Sequence, residues 1–212
     1  MSDDLYINMR MKDSISISEI LFVLNGGPPM IDDPESAKRG IRAHKEATER
    51  IVGGDIPPSL QRAGLRVPIV REKLFETDVG DGLLLRARAD LAGDGLTVDL
   101  KPGEIRGRQL LQVAATCAAR ETKGAGAVYL YQSGQTYLID DGGESARPEI
   151  EAMAKASRRI LDIQSSLENN RRTLSYTEKQ ELGRESVRLG RELQTNNLVV
   201  AEKVKKRLTK IA

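Results

Sequence analysis

Leu83-Leu-Leu-Arg-Ala-Arg-Ala-Asp-Leu-Ala-Gly-Asp-Gly-Leu-Thr-Val-Asp-Leu-Lys101 is the stretch from which the fold of this chain can be read. Leu83, Leu85, Ala87, Ala89 and Leu91 alternate with Leu84, Arg86, Arg88 and Asp90; past Gly93-Asp-Gly, Leu96, Val98 and Leu100 alternate with Thr97, Asp99 and Lys101. A period of two belongs to a β-strand, whose successive side chains point to opposite faces, so the pattern predicts a hairpin with one apolar and one polar face. Asp94-Gly95 supplies a preferred two-residue turn of type I′. Pairing symmetric about that turn sets Asp90 opposite Asp99 and Arg88 opposite Lys101, with all four side chains on one face. Adjacent carboxylates repel unless a cation neutralises them, and Mg²⁺ favours one or two carboxylates with water and phosphate oxygens. A neighbouring ammonium would orient water or stabilise charge developing on a phosphate. The arrangement suits hydrolysis of a phosphodiester.

The flanking sequence reads as alternating helix and strand. Residues 34–52 hold many helix formers and few breakers and end at Gly53-Gly54; Pro57-Pro58 starts a short helix, and 67–76 alternates as a strand. Beyond Pro102-Gly103, residues 106–121 read as a helix whose Ala114, Ala115, Ala118 and Ala119 allow close packing on a sheet, and strands return at 127–131 and 135–139. After Pro148, Ile150, Met153, Ile160 and Leu167 recur at helical spacing, as do Val200, Val204, Leu208 and Ile211. The expected architecture is α/β, with a mixed central sheet flanked by helices over 1–147 and a helical extension over 148–212.

Composition narrows the chemistry. Of 212 residues, 39% are hydrophobic, enough for one core, and 33 Lys+Arg against 31 Asp+Glu leave a net charge of only +2. The extension is the basic part: 151–212 carry 14 basic and 8 acidic side chains, against 19 and 23 before them. Those charges would grip a phosphate backbone or form a solvated helix face, while the apolar stripes must pack on the body, on each other or on a second copy or protein partner. Gly183 and Gly190, seven apart, would permit close helix approach. Cys117 is the single cysteine, which excludes a disulfide within the chain and an iron–sulfur cluster, and its small-residue helix face makes it a packing residue. No apolar run is long enough to span a bilayer and the opening Met-Ser-Asp-Asp is not signal-like, so the chain reads as soluble and cytoplasmic, with no membrane partner.

Asp90 followed by Asp99-Leu-Lys101 matches the PD-(D/E)xK nuclease signature, and Arg88-Ala-Asp-Leu with Val98-Asp-Leu-Lys-Pro-Gly resembles its RecB-like branch. Gly40-Ile-Arg-Ala-His44 is similar to the early Gly-x-x-x-His helix of that branch, so the only histidine falls where the family has a metal ligand. Gln109-Leu-Leu-Gln-Val resembles its downstream glutamine motif, and Glu72 occupies a place where these enzymes often carry a glutamate. The resemblance implies a restriction-endonuclease-like core and a divalent-metal-dependent DNA nuclease, an exonuclease that processes ends in repair or recombination. It implies that His44, Asp90, Asp99 and the Leu100 backbone carbonyl hold Mg²⁺ or Mn²⁺, with Glu72 as a further or supporting ligand. Asp90, Asp99, Lys101 and Gln109 would be catalytic, Lys101 orienting or activating water and Gln109 supporting the lysine or binding DNA; Arg88, Arg106 and Arg108 would contact the DNA. The contrasting expectation is a catalytically silent nuclease-like module that binds DNA or assembles with partners.

Overall fold

The hairpin is present as β3 (Leu84–Gly93) and β4 (Leu96–Lys101), paired antiparallel as Gly93↔Leu96, Ala92↔Thr97 and Leu91↔Val98. This computed structural model describes residues 14–27, 34–105, 107–120, 124–141 and 143–211. The expected register holds at the turn, but the turn is not type I′: Gly95 takes a positive φ of 73° and Asp94 does not.

Around the hairpin lie β1 (Ser14–Ser16), β2 (Val70–Asp78), β5 (Ala125–Leu130), β6 (Gln135–Ile139) and β7 (Leu208–Ile211), forming one seven-stranded mixed sheet in the order β1-β3-β4-β5-β6-β7, with β2 also on β3. Six helices accompany it among the described residues: α1 (Ile17–Asn25), α2 (Pro34–Val52), α3 (Pro58–Arg62), α4 (Gly107–Ala118), α5 (Arg147–Asn169) and α6 (Tyr176–Arg207). Capping boxes start α1, through Ser16 and Glu19, and α6, through Ser175 and Glu178.

The sheet lies between two cores. Leu85, Ala87, Val128 and Leu130 join residues of α1, α4, α5 and α6 on one side; Leu91, Val98, Leu100, Ala127 and Tyr129 join Ile51 of α2 and Leu60 of α3 on the other. With both faces covered, every residue from Leu96 to Leu100 is buried: Leu96, Val98 and Leu100 share one core as the alternation predicts, while Thr97 and Asp99 are buried polar side chains. Leu85 and Leu91 share a parity yet enter different cores. The α4 alanines are buried in the Leu85 core, and α4 approaches β5 closely at Gly126, where a Cβ would stand 2.6 Å from Cys117 Sγ and 2.8 Å from Val113 Cγ1. Cys117 is packed there, its thiol pushed up to about 11 by burial.

The helices after residue 147 share the larger core. Ile150, Met153, Ile160, Leu189, Leu193, Val200 and Val204 are buried in it, and Leu167 packs at its margin. Arg159 grips Glu185 through two hydrogen bonds of 2.8 and 2.9 Å, and Lys203 pairs with Glu149 at 2.7 Å. Among the described residues nothing approaches Gly183 or Gly190. The helical reading through Ile211 is corrected: α6 stops at Arg207, and Leu208–Ile211 forms β7 because its backbone finds a free edge on β6, from Ile139↔Leu208 to Thr136↔Ile211. No helix among the described residues is long and apolar enough to cross a membrane.

Candidate active site

A strand has two edges, and β3 has three partners. β2 runs along one edge from Asp78↔Leu84 to Val70↔Ala92, so β1 and β4 share the other, β1 at 84–86 and β4 at 91–93. On that second edge residues 87–90 of β3 have no ladder partner, and the site opens in that gap. The pairing expected for Arg88 and Lys101 is therefore not formed: the strands diverge beyond Leu91↔Val98, and Arg88 lies opposite Leu74 of β2. At the divergence a side chain replaces the ladder, the Leu100 N–H donating to Asp90 Oδ2 at 2.7 Å. That bond satisfies a buried donor and fixes the carboxylate.

Four of the expected residues converge here. His44 projects from α2 and places Nε2 3.1 Å from Asp90 Oδ2. Lys101 places Nζ 2.8 Å from Asp99 Oδ2. Asp99 is held by β5 through the pair Asp99↔Val128 and is only 4% exposed. Its ion pair with Lys101 lies off the line a hydrogen bond needs, so neither Asp99 oxygen accepts a hydrogen bond from the described residues. A buried carboxylate is costly unless protonated or matched by a cation, and the Lys101 ammonium is the cation that faces Asp99.

The electrostatics separate the two carboxylates. Burial, reinforced by the nearby Asp90 charge, raises Asp99 to about 7 against the pull of Lys101. Burial also acts upward on Asp90, but hydrogen bonds from His44, Asp99 and the Leu100 N–H, with the Lys101 charge, outweigh it and hold Asp90 below its ordinary value. The hydrogen bond to Asp90 raises His44 despite partial burial. Tyr131, at the end of β5, is raised by burial and then by the Asp90 charge.

The other expected residues are placed differently. Glu72 sits in β2 at a left-handed φ of 48°, exposed, 3.7 Å from Arg88 rather than among the buried acids. Gln109 and Arg108 line a groove beside Lys101. Arg106 lies outside the described residues. It is Gln112, one turn beyond Gln109 on α4, whose Oε1 accepts from Lys101 Nζ at 3.3 Å. Helical spacing held that signal, since residues three apart share a face. Arg86 was also not singled out from the sequence: with Arg88 and Asp90 it lines a cavity of about 700 Å³, and its Nε lies 2.7 Å from Glu76.

The donor set fits a hard divalent cation in kind: an imidazole and two carboxylates, one of them buried with Lys101 as its ion-pair partner. Among the described residues no three His, Cys, Asp or Glu side chains form a ready-made cage, and His44 and Asp90 face each other. No family model, no curated protein and no solved structure matches the chain.

Proposed function

We propose that the chain is a divalent-metal-dependent deoxyribonuclease of PD-(D/E)xK, restriction-endonuclease-like type, acting on DNA ends as an exonuclease. The observation that carries the reading is Asp99: a carboxylate only 4% exposed, ion-paired with Lys101 at 2.8 Å but with neither oxygen accepting a well-aligned hydrogen bond, beside Asp90 and His44 in a gap where the sheet opens. His44, Asp90, Asp99 and the Leu100 carbonyl would hold Mg²⁺ or Mn²⁺, which supplies Lewis acidity toward phosphoryl oxygens.

The side chains have distinct tasks. Lys101 sets a positive charge where negative charge develops on the phosphate, and Gln112 fixes the ammonium by accepting its hydrogen bond. Asp90 is kept ionised and immobile by His44 and the Leu100 N–H. Arg86 and Arg88 bring cations to the same cavity, suited to neighbouring phosphates. The direct His44–Asp90 contact favours one other reading, a silent nuclease-like module that binds DNA without cutting it.

One assay separates the two: linear and circular, single- and double-stranded DNA incubated with Mg²⁺, Mn²⁺ or EDTA. Cleavage of linear DNA with either cation and none in EDTA is the expected result. Binding without cleavage under every condition would establish the silent module instead.

A further inference from the structure

A second cavity adjoins the one that holds Asp90. It measures about 510 Å³, within the size range of small-molecule sites, and is lined by Phe22 and Asn25 of α1, Lys101, and Arg108, Gln109 and Gln112 of α4. The two cavities share Ser18, Leu21 and Gln112, so they form adjacent lobes of one groove passing the Asp90–Lys101 site.

The lobes differ in chemistry. The Asp90 lobe has two arginines and two carboxylates; the Phe22 lobe has no carboxylate in its lining and two cations, Arg108 and the Lys101 already paired with Asp99, so Arg108 is the charge it offers an anion. Phe22 is 41% exposed, and the chain has only two phenylalanines and no tryptophan, so an aromatic ring left at the mouth of a groove is not a default outcome of composition. Its neighbours include three amides, Asn25, Gln109 and Gln112, groups that pair with base edges. An aromatic face, amides and two cations around one groove match a nucleotide whose base is free to stack. Bases in a duplex are already stacked and paired, so only an unpaired nucleotide offers its face to Phe22.

We infer that the Phe22 lobe is a base-stacking subsite for an unpaired nucleotide next to the scissile phosphate, which makes single-stranded DNA or a frayed end the substrate class. The inference rests on the nuclease reading for its substrate, but its test does not depend on cleavage. Binding of the full chain in EDTA is measured by fluorescence anisotropy with a labelled oligothymidylate, an abasic strand of equal length and a blunt duplex.

Wild-type protein binds oligothymidylate about tenfold more tightly than the abasic strand, the effect of one stacked base. Phe22→Ala loses about that factor and no longer distinguishes the two strands. Phe22→Tyr retains it, and duplex affinity is the same in all three proteins. The abasic comparison needs no variant, so misfolding of Phe22→Ala cannot mask the result. Equal wild-type affinity for the two strands, no binding of oligothymidylate, or an unchanged Phe22→Ala affinity would each overturn the inference. Base-dependent binding with no cleavage in any metal would leave the subsite standing and remove the nuclease; metal-dependent cleavage without base-dependent binding would do the reverse.

Discussion

On the proposed reading the chemistry turns on Asp99 and Lys101, and each has a separate signature. Asp99 has its carboxyl raised to about 7 by burial, so between about pH 4 and 7 the folded chain holds a proton that the unfolded chain has lost. Its contribution is thus most favourable at low pH and is lost as pH rises through about 7. His44 acts with the same sign: raised by its bond to Asp90, it stabilises the fold below its ordinary value and ceases to as pH rises past the raised one. Asp99→Asn should therefore be more stable than the wild type above pH 7 in EDTA, by on the order of 2–4 kcal/mol, with the gain vanishing near about pH 4. Urea unfolding at several pH values measures this, and equal stability at all of them would contradict it. Lys101→Ala should lower metal-dependent cleavage by about 10²–10³-fold without changing the melting temperature by more than a few degrees. Gln112→Ala should cost more activity than Gln109→Ala, because Gln112 holds the Lys101 ammonium. That Asp90, Asp99 and Lys101 lie together was legible from the alternation of the hairpin, whereas His44 was reached only through the resemblance of Gly40-Ile-Arg-Ala-His44 to a family helix. Gln112 was not legible, since which glutamine of α4 reaches Lys101 depends on the helix's rotation against the sheet.

At the scale of elements, the informative feature is the divergence of β3 from β4. Alternation in 83–101 gave both strands and their register at the turn, because periodicity and turn composition are local. It could not show that the ladder stops at Leu91↔Val98, nor that β1 takes residues 84–86 of the same β3 edge. The same limit explains β7: Leu208 and Ile211 fit a helical stripe equally well, and only the open edge of β6 decides for a strand. Where the ladder stops, Asp90 has a structural task, since it accepts from the Leu100 N–H. Asp90→Ala should leave that buried donor unpaired and cost about 1–3 kcal/mol, while Asp90→Asn, which keeps a carbonyl oxygen, should cost less. Denaturant titration of both variants checks the order; equal losses would mean that the bond does not hold the divergence together.

Across the whole molecule, the basic region after residue 147 is built into the core. Its apolar stripes were legible from helical spacing, but their destination was not, because spacing shows that a face must be buried and not against what. Ile150 and Val200 lie in the same core as Leu85 and Val128, and β7 closes the sheet on β6. Ile150→Ala and Leu85→Ala should each cost about 2–5 kcal/mol and shift one shared unfolding transition, followed by circular dichroism and by tyrosine fluorescence. Two separable transitions would mean that the helices fold apart from the sheet. The claim that His44, Asp90 and Asp99 together form a cation site is tested most directly by calorimetric titration of Mn²⁺ into the intact chain. The wild type should bind with saturation at one site, releasing protons on binding at neutral pH, and Asp99→Asn and His44→Ala should each lose that heat while remaining folded. Equal Mn²⁺ binding by all three proteins, or none by the wild type, would contradict it.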